Sequence, residues 1–472
     1  MTPARDAVAA LAEELRATLP ADQVRDGDSE RDLHAADLTF HAPRRPDLVV
    51  YPSSTDEVAL ILARASAMGV PVVAFGAGTS LEGHVIPVHG GISLDLSRLD
   101  RVLELAPENL TATVQAGVTR LALERAAGAH GLCFPVDPGA DATLGGMAAT
   151  NAAGTTTVRY GKMRPNVLAL EAVTGDGRVI RTGTRAAKSS AGYDLTGLLV
   201  GSEGTLAVIT ELTLRLHPIL DHAVVLRAGF PEVEEACAAA AAIVAVGAGV
   251  TRVELMDAWF VAAVNAYSGT EYTEGPCLFV EATGSAETVE ADLALVQEVC
   301  RAHGAVELVH ERDADARARL WRARHDATHA IASRWPGTKE RATDVCVPLT
   351  ELAGATRFAR GEIERLGLHA GIVGHAGDGN LHVAVMVDPD DPDELRVSDE
   401  LVHNVVDDAL ARGGTCTGEH GIGLGKVGAL AQEHGDLLPL MRAIKAAFDP
   451  AGILNPDKVL ARPDGGMRPH GL

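Results

Sequence analysis

The stretch PVVAFGAGTSLEG, from Pro71 to Gly83, is the first of three glycine-rich segments in the N-terminal half of the chain. It starts as an apolar strand and continues as a glycine-rich loop, whose backbone N–H groups can come close to a phosphate, as in an anion-binding nest. It is not the dinucleotide fingerprint of a Rossmann domain, because Leu81 stands three residues after Gly78 and a β-like segment follows instead of a helix. Taken alone, the loop is equally consistent with a diphosphate site and with a plain turn.

Two more glycine-rich stretches follow, DPGADATLGGMAATNAAG (Asp137–Gly154) and GLLVGSEGTLAVITELTL (Gly197–Leu214). Around them a helical stripe after Ser54 is succeeded by period-two stretches and by a hairpin with an Asp176-Gly177 turn. We therefore predict one α+β domain over residues 45–218.

A different pattern begins after Pro218. Alternating strand and helix signals predict strands at 222–229, 251–256, 277–282 and 306–311 and helices at 231–246, 258–266 and 287–303. This succession predicts a ferredoxin-like sheet with helices on one face. Residues 312–460 add a helix containing WRARHDATHA, two glycine-rich strand ends that carry histidines, and a final helix ending at Phe448.

The composition narrows the class of protein. A length of 472 residues with 47% hydrophobic residues predicts two or three globular domains. The net charge of −23 disfavours non-specific binding to nucleic acid or anionic lipid, which depends on clustered Lys and Arg. The six cysteines form no CxxC pair, which argues against an iron–sulfur cluster, a zinc ribbon and a disulfide framework, so we expect reduced, mostly buried thiols.

The N-terminal residues predict an amphipathic helix rather than a signal or transit peptide, because Asp6, Glu13 and Glu14 interrupt the apolar pattern. The longest apolar run, Ala236–Val250, has 15 residues, fewer than the roughly 20 of a membrane helix. We expect no transmembrane segment and a cytoplasmic protein, with peripheral attachment to the inner face of the membrane as the alternative. The choice between monomer and homodimer is left open.

Histidines cluster in two glycine-rich segments, GIVGHAGDGNLHVAVMV (Gly371–Val387) and GGTCTGEHGIGLGK (Gly413–Lys426). His382 follows His375 by seven positions, which would put them on opposite faces of one straight strand. The turn signal GDGN between them predicts a chain reversal that lets both imidazoles point at one spot.

His375, His382 and Glu419 form a His₂Glu set suited to zinc, manganese or another divalent ion with open positions for substrate oxygens. His420 is then the predicted general base, because a metal-bound hydroxyl has a lowered pKa and a neutral imidazole can take its proton. The alternative is that each histidine is an ordinary surface or core residue.

The predicted contacts with a substrate carboxylate come from a basic region. Arg324 and Thr328 lie four residues apart, which puts them on one face of a helix, and Lys339 follows 15 residues after Arg324. A guanidinium matches a carboxylate with two parallel hydrogen bonds, and an ammonium adds a compact second charge. The alternative is a set of solvated helix charges, since several other arginines crowd this region.

Taken together, these stretches resemble a known family. The three glycine-rich loops and AGILNPDKVL (Ala451–Leu460) resemble the FAD-binding domain of the vanillyl-alcohol oxidase superfamily. The segments VGHAGDGNLH (Val373–His382) and GGTCTGEHGIG (Gly413–Gly423), with GTKERATDVCVPL (Gly337–Leu349), resemble its FAD-linked oxidase group, which contains D-lactate dehydrogenases of the cytochrome type, D-2-hydroxyglutarate dehydrogenases and the flavin subunit of glycolate oxidase. The similarity runs from about Arg45 to Leu460 and is greatest to the D-lactate dehydrogenases.

The resemblance implies an α+β fold with a two-subdomain FAD-binding domain, a ferredoxin-like substrate (cap) domain and a C-terminal helical segment that returns to the flavin. The domain limits would be an N-terminal helical segment at 1–44, the FAD-binding domain at 45–218, the substrate and metal domain at 219–460, and a flexible tail at 461–472. It also implies the metal ligands, base and carboxylate contacts given above. The implied flavin contacts are Gly76, Gly78, Thr79, Ser80, Leu81, Pro138, Gly139, Thr143, Gly146, Asn151, Gly154, Glu203, Gly204, Ile209 and Asn455.

The implied function is FAD-dependent, metal-assisted oxidation of a D-2-hydroxy acid, with D-lactate to pyruvate first, and with a cytochrome, a quinone or an electron-transfer flavoprotein as acceptor instead of NAD. Ala384 stands where the hydroxyglutarate enzymes carry asparagine, whereas Thr328 resembles those enzymes more. D-2-hydroxyglutarate dehydrogenase and the glycolate oxidase subunit are therefore the alternatives. A flavin-independent metallohydrolase and a flavin-binding module without turnover are the alternatives of a different class.

Overall fold

The computed structural model describes residues 5–461, which form two compact units. The first unit contains the residues up to Ala153, then Gly161–Ile219, and then the segment from Glu419 onward. The second unit contains Gly154–Tyr160 and Leu220–Gly418. The segment from Glu419 onward, predicted within the domain 219–460, is thus grouped with the first unit, and the predicted domain limits stay predictions. The predicted tail, apart from Ala461, lies outside the described residues.

The first unit contains two main sheets. The four-stranded sheet has the order Val24–Arg25, Leu48–Val50, Ile92–Asp95, Val72–Phe75, with the last three strands parallel. The five-stranded sheet is antiparallel, in the order Val102–Ala106, Thr111–Gln115, Ala207–Arg215, Val167–Thr174, Val179–Gly183. A short pair joins Leu132–Cys133 to His217–Pro218. One apolar core, which includes Leu62, Ile92 and Leu212, packs these elements together.

The helix predicted after Ser54 begins and ends as its sequence signals predict. In Thr55–Met68 the Ser54 hydroxyl accepts a hydrogen bond from the Glu57 amide, and the helix ends at Gly69 in the left-handed region (φ 64°). The Glu57 carboxylate accepts from the Ser53 amide, one residue earlier than in a capping box. The other helices are Arg5–Thr18, Asp28–Leu33, Arg120–Gly128, Leu144–Thr150, Met163–Asn166, Leu195–Leu199, Val427–His434 and Leu438–Phe448.

The C-terminal segment joins the four-stranded sheet. The Val72 amide donates to the Ile453 carbonyl at 2.8 Å, and the Asn455 amide donates to the Val72 carbonyl at 2.8 Å. These bonds bring the end of the chain beside the strand that leads into the loop of Gly76. The predicted return of this segment to the cofactor-binding part of the chain is confirmed.

The second unit is built on one antiparallel sheet. Its strands lie in the order Glu307–Glu311, His222–Gly229, Cys277–Gly284, Val250–Met256, Ala370–Gly374, Asn380–Val387, Lys339–Ala342, and Val345–Cys346 pairs with Asn380–Val387. The first four of these are the fourth, first, third and second in chain order, which is the ferredoxin-like arrangement. The predicted sheet is therefore present, extended by strands from the 339–387 region.

Helices cover both faces of this sheet, so the predicted single layer was incomplete. Ala258–Ser268, Ala314–His325 and Ala327–Arg334 pack in an apolar cluster with Val225, Phe279 and Met386. Side chains alternate between faces along a strand, so the neighbouring buried residues, such as Leu226 and Val280, face the other layer. The remaining helices of the unit are Thr157–Tyr160, Val233–Ala245, Ala286–Ala302, Leu352–Leu366 and Pro392–Ala411.

All six cysteines are free thiols, and four of them are buried, as expected. Within residues 5–461, none of the helices combines the length and the apolar character that crossing a membrane requires.

Candidate active site

The first glycine-rich loop of the first unit follows the strand Val72–Phe75. Gly78 has φ 66°, in the left-handed region, and a Cβ there would lie 2.9 Å from the Phe75 ring. A Cβ on Gly76 would collide with Thr143 Oγ1, so this loop lies directly against the second glycine-rich stretch. The Ser80 hydroxyl donates to the Asp37 carboxylate at 2.7 Å.

The second and third stretches meet in the same unit. Thr143 caps the helix Leu144–Thr150 by accepting from the Gly146 amide, and Asn151 ends it with φ 52°. The Gly201 amide donates to the Ala148 carbonyl at 2.9 Å, and the Glu203 amide donates to the Ala149 carbonyl at 2.8 Å. All three glycine-rich stretches therefore converge, as a shared cofactor site requires.

Asn455 joins this convergence from the end of the chain. Its side-chain amide donates to the Glu203 carbonyl at 2.8 Å and to the His84 carbonyl at 3.1 Å. Asn455 and Glu203 both have positive φ, 40° and 54°, which costs energy in a residue with a side chain. Such strain in a buried loop cluster is typical of a ligand-binding site.

Several predicted flavin contacts depend on a ligand and stay predictions: Thr79, Leu81, Pro138, Gly139, Gly204 and Ile209. Gly154 begins the short segment that belongs to the second unit, where its amide donates to Thr157 Oγ1 at 3.0 Å. It is therefore not grouped with the other predicted contacts.

The Glu203 carboxylate has a role that the sequence did not indicate. Its two oxygens accept hydrogen bonds from the Ile422 amide at 2.7 Å and the Gly423 amide at 2.8 Å. His84 Nε2 lies 3.0 Å from the same carboxylate, and both side chains are buried. Burial favours the neutral forms, but the mutual attraction prevails, so the pKa of His84 is raised and the pKa of Glu203 is lowered. This carboxylate holds the backbone just after His420.

Glu419 and His420 open the C-terminal segment of the first unit. Glu419 Oε1 lies 3.6 Å from His420 Nε2, and both side chains are partly buried. Gly421 has φ 85°, and a Cβ there would lie 2.7 Å from Glu203 Oε1. The glycine that follows His420 is thus needed for the chain to pass this close to Glu203.

The second unit brings His375 and His382 together, as predicted. Val373 pairs with His382 across antiparallel strands, and a 3-10 turn at Ala376–Asp378 reverses the chain between the two histidines. Their ring centroids are 5.7 Å apart and the rings are nearly perpendicular, at 89°. The chain reversal expected from GDGN is confirmed.

Protein acceptors engage the Nδ1 atom of both imidazoles. His375 Nδ1 lies 2.7 Å from Glu254 Oε1, and His382 Nδ1 lies 3.1 Å from the Thr343 carbonyl oxygen. Each acceptor favours the tautomer with hydrogen on Nδ1, so each ring would coordinate a metal through Nε2. The tautomer of each ring is thus compatible with metal coordination through Nε2.

A second buried carboxylate stands beside His382. Asp344 is fully buried, and one of its oxygens lies 3.7 Å from His382 Nδ1. Its carboxylate accepts hydrogen bonds from Asn380 Nδ2 at 3.0 Å and the Thr417 hydroxyl at 2.7 Å, and its backbone carbonyl accepts from the Gly418 amide at 2.7 Å. Asp344 thus fixes the end of the second unit immediately before Glu419 in the chain.

Arg324 lies in the same unit as the histidines, but it already has a partner. Its Nη2 donates to Glu254 Oε2 at 2.7 Å, and Glu254 is fully buried. The Nε atom of Arg324 is buried with no hydrogen-bond partner among the described residues. A ligand with an acceptor oxygen would satisfy this donor.

Lys339 lies on the edge strand of this sheet. Lys339 pairs with Val387, whereas Ala342 pairs with Ala384, which shares a strand face with His382. Lys339 therefore faces the opposite side of the sheet, five residues along the strand from His382, or roughly 17 Å. This register does not support the predicted carboxylate contact of Lys339, which stays a prediction.

Thr328 does not share a helix with Arg324. The helix Ala314–His325 ends at Asp326, and a second helix, Ala327–Arg334, starts there. Thr328 is exposed, whereas Arg324 is partly buried. The single helix face predicted for these two residues is wrong, and contact of Thr328 with a substrate stays a prediction.

Comparison with known proteins agrees with this geometry. Residues 46–183 match the FAD binding domain family, and residues 219–459 match the family of FAD linked oxidases, C-terminal domain. The chain belongs to the FAD-linked oxidase family of the vanillyl-alcohol oxidase superfamily and is an FAD-dependent oxidoreductase. The alternatives of a flavin-independent metallohydrolase and of a binding module without turnover are set aside.

Individual relatives show which members of the family this chain resembles. The chain is 41% identical to the mitochondrial D-lactate dehydrogenase [cytochrome] of Arabidopsis thaliana, over 89% of this chain and 75% of the relative. It is 35% identical to glycolate oxidase subunit GlcD of Bacillus subtilis, over 93% of this chain and 94% of the relative. A crystal structure of p-cresol methylhydroxylase shares the fold, with a TM-score of 0.80 at 17% identity, covering 97% of each chain.

Proposed function

We propose that this chain oxidises a D-2-hydroxy acid, with D-lactate to pyruvate as its principal reaction. The observation that carries the proposal is the group in the second unit formed by His375, His382 and Arg324. Two imidazoles oriented for a metal and a guanidinium with a buried unsatisfied donor suit a small molecule with a hydroxyl beside a carboxylate. The 41% identity to a D-lactate dehydrogenase supports the same substrate class.

His375 and His382 would hold a zinc or manganese ion through Nε2, and the family resemblance supplies Glu419 as the third ligand. When bound, FAD accepts the hydride from the substrate Cα, and the divalent ion lowers the pKa of the substrate hydroxyl. His420 takes the hydroxyl proton, and Arg324 orients the carboxylate. Glu203 keeps the segment after His420 in place through the Ile422 and Gly423 amides.

Substrate selection rests on the surroundings of His382. Ala384, two residues further along the strand, is buried in an apolar cluster with Met386 and Phe260. A distal carboxylate entering such surroundings would lose water without gaining a partner, which costs several kcal/mol. Glu254 also offsets the charge of Arg324, so the group has little spare positive charge for a second carboxylate. These features favour the methyl group of lactate over the longer side chain of hydroxyglutarate.

Electrons would leave the flavin for an acceptor other than NAD, because the one G-x-G-x-x-G pattern, at Gly423–Gly428, follows the helix Pro392–Ala411 and not the strand that a Rossmann fingerprint requires. A cytochrome, a quinone and an electron-transfer flavoprotein are the candidates. The name of the Arabidopsis relative favours the cytochrome.

The test is steady-state turnover with an artificial electron acceptor and a panel of substrates: D-lactate, L-lactate, glycolate, D-2-hydroxybutyrate and D-2-hydroxyglutarate. The highest kcat/KM is expected for D-lactate. L-lactate should be a poor substrate, because only the D enantiomer directs its Cα hydrogen to the flavin. A kcat/KM for D-2-hydroxyglutarate or glycolate at or above that for D-lactate would instead support the corresponding alternative.

A further inference from the structure

Glu254 links two parts of the proposed site, and no sequence motif pointed to it. It lies in the strand Val250–Met256, with its side chain fully buried. One carboxylate oxygen lies 2.7 Å from His375 Nδ1, and the other accepts a hydrogen bond from Arg324 Nη2 at 2.7 Å. A carboxylate at such depth is tolerated only when it is paired and hydrogen-bonded, and both of its oxygens have partners.

Each contact has a consequence for its partner. A carboxylate that accepts from Nδ1 fixes the orientation and tautomer of an imidazole and makes its Nε2 a more basic metal ligand. The same carboxylate holds the Arg324 guanidinium through Nη2, so the other N–H groups of the guanidinium point away from Glu254. Both effects arise from one side chain, so neither contact can change without affecting the other.

We propose that Glu254 is a positioning residue that couples metal binding at His375 to carboxylate binding at Arg324. The proposal rests on the proposed function, which places a divalent ion at His375 and His382. Replacing Glu254 by Gln removes the charge and turns one of the two acceptors into a donor, which then opposes either the imidazole N–H or the guanidinium. Metal affinity and substrate affinity are therefore expected to fall together.

The neighbouring strand provides a matched control. Glu281, in Cys277–Gly284, is also buried, and its carboxylate binds Arg252 at 2.6 Å and the Trp321 indole N–H at 2.7 Å. Glu281→Gln makes the same chemical change beside a partly buried arginine in the same sheet. A general effect on folding should appear in both variants, whereas a positioning effect should appear only in Glu254→Gln.

The experiment titrates Zn²⁺ and Mn²⁺ separately into metal-free, FAD-loaded protein, and then measures KM and kcat for D-lactate at saturating metal. Glu254→Gln should bind the metal about 10–100-fold more weakly with unchanged FAD content. It should also raise KM by roughly tenfold, the effect of losing one charged hydrogen bond. Glu281→Gln should match the parent in metal affinity. Glu254→Asp is the second variant if the Gln variant does not fold. It keeps the charge but shortens the side chain by one methylene, so it should show a smaller loss of metal affinity and a smaller rise in KM.

The outcomes separate this inference from the proposed function. A parent that binds neither metal overturns the proposed function and, with it, the coupling. A parent that binds metal while Glu254→Gln binds it equally well overturns the coupling alone. Equal losses in Glu254→Gln and Glu281→Gln would also overturn it, because the effect would then belong to the sheet as a whole.

Discussion

Lys426 Nζ lies 2.9 Å from Glu82 Oε1, and both side chains are buried. This ion pair joins the first glycine-rich stretch of the first unit to the segment that carries Glu419 and His420. The Leu424 amide also donates to the Glu82 carbonyl at 2.7 Å, so the segment is fixed at two neighbouring points. Together with the Glu203 contacts, the pair explains how a glycine-rich loop can keep one conformation.

Replacing Lys426 by Met should destabilise the first unit substantially. The change leaves the Glu82 carboxylate buried without its partner, which typically costs about 3–5 kcal/mol. Urea unfolding of the metal-free protein measures the effect. The matched control is Arg64→Met, which breaks the exposed pair of Arg64 with Glu14 (3.7 Å) and should cost less than about 1 kcal/mol. Equal free energies of unfolding in the two variants would show that the buried Lys426–Glu82 pair does not stabilise the first unit.

Lys458 should give the stability of the protein a specific pH dependence. Its side chain is fully buried and donates hydrogen bonds to the Ile86 carbonyl and to Asn455 Oδ1. Burial lowers the pKa of Lys458 from 10.5 to about 7. The carboxylates of Asp37, Glu203 and Asp457 oppose this shift. Between these two values the unfolded chain binds a proton that the folded chain does not, so the contribution of Lys458 to stability falls as the pH is lowered from above 10 to 7.

Lys458→Met removes that titration. The stability of the variant relative to the parent should therefore improve as the pH falls from 10 to 7 and change little below 7. Urea unfolding midpoints of both proteins across this range provide the measurement. A difference between the two that is constant with pH would contradict a neutral, buried Lys458.

Gly76→Ala should weaken FAD binding. A Cβ at this position collides with Thr143 Oγ1, which accepts the Gly146 amide at the start of the helix Leu144–Thr150. Loss of such a cap costs about 1 kcal/mol, and the two glycine-rich stretches would be forced apart. The measurement is the FAD dissociation constant from fluorescence titration of the apoprotein. Gly128→Ala, with open space at its Cβ, serves as the control and should bind FAD like the parent. An FAD affinity in Gly76→Ala equal to that of the parent would show that the close approach of Gly76 to Thr143 is not needed for FAD binding.

His420→Ala should slow flavin reduction without removing either cofactor. Loss of a positioned base lowers the rate by about 10²–10⁴, whereas FAD and metal content should be unchanged because neither the proposed metal ligands nor the glycine-rich stretches are altered. Stopped-flow reduction by D-lactate gives the rate, and elemental analysis with flavin absorbance gives the contents. Reduction as fast as in the parent would remove His420 from the mechanism.

Local patterns predicted most of the secondary structure. The helix predicted at 231–246 is Val233–Ala245, and the strand predicted at 251–256 is Val250–Met256, because both have strong periodicity and clear end signals. The convergence of His375 and His382 was predictable for the same reason, since the turn that joins them lies between them in the sequence. Local rules were enough wherever the partners were close in the chain.

Contacts between distant segments could not be predicted in this way. Glu254 is 121 residues from His375, and its strand, VTRVELM, also contains Arg252, so no local pattern singled it out. Lys339 was placed by its spacing from Arg324, but the face it occupies depends on strand register, which a one-residue shift reverses. Glu203 was predicted to contact the flavin, whereas its carboxylate holds the Ile422 and Gly423 amides more than 200 residues away.

D-lactate is expected to reduce the bound flavin only with the help of a divalent metal. The most direct measurement is the visible flavin absorbance after anaerobic addition of D-lactate to FAD-loaded protein, compared between a metal-loaded sample and one treated with a chelator. The metal-loaded sample should bleach within a single turnover, whereas the chelated sample should stay yellow, retain its FAD and recover when Zn²⁺ or Mn²⁺ is returned. Bleaching at the same rate in both samples, or no bleaching in the metal-loaded one, would contradict the account.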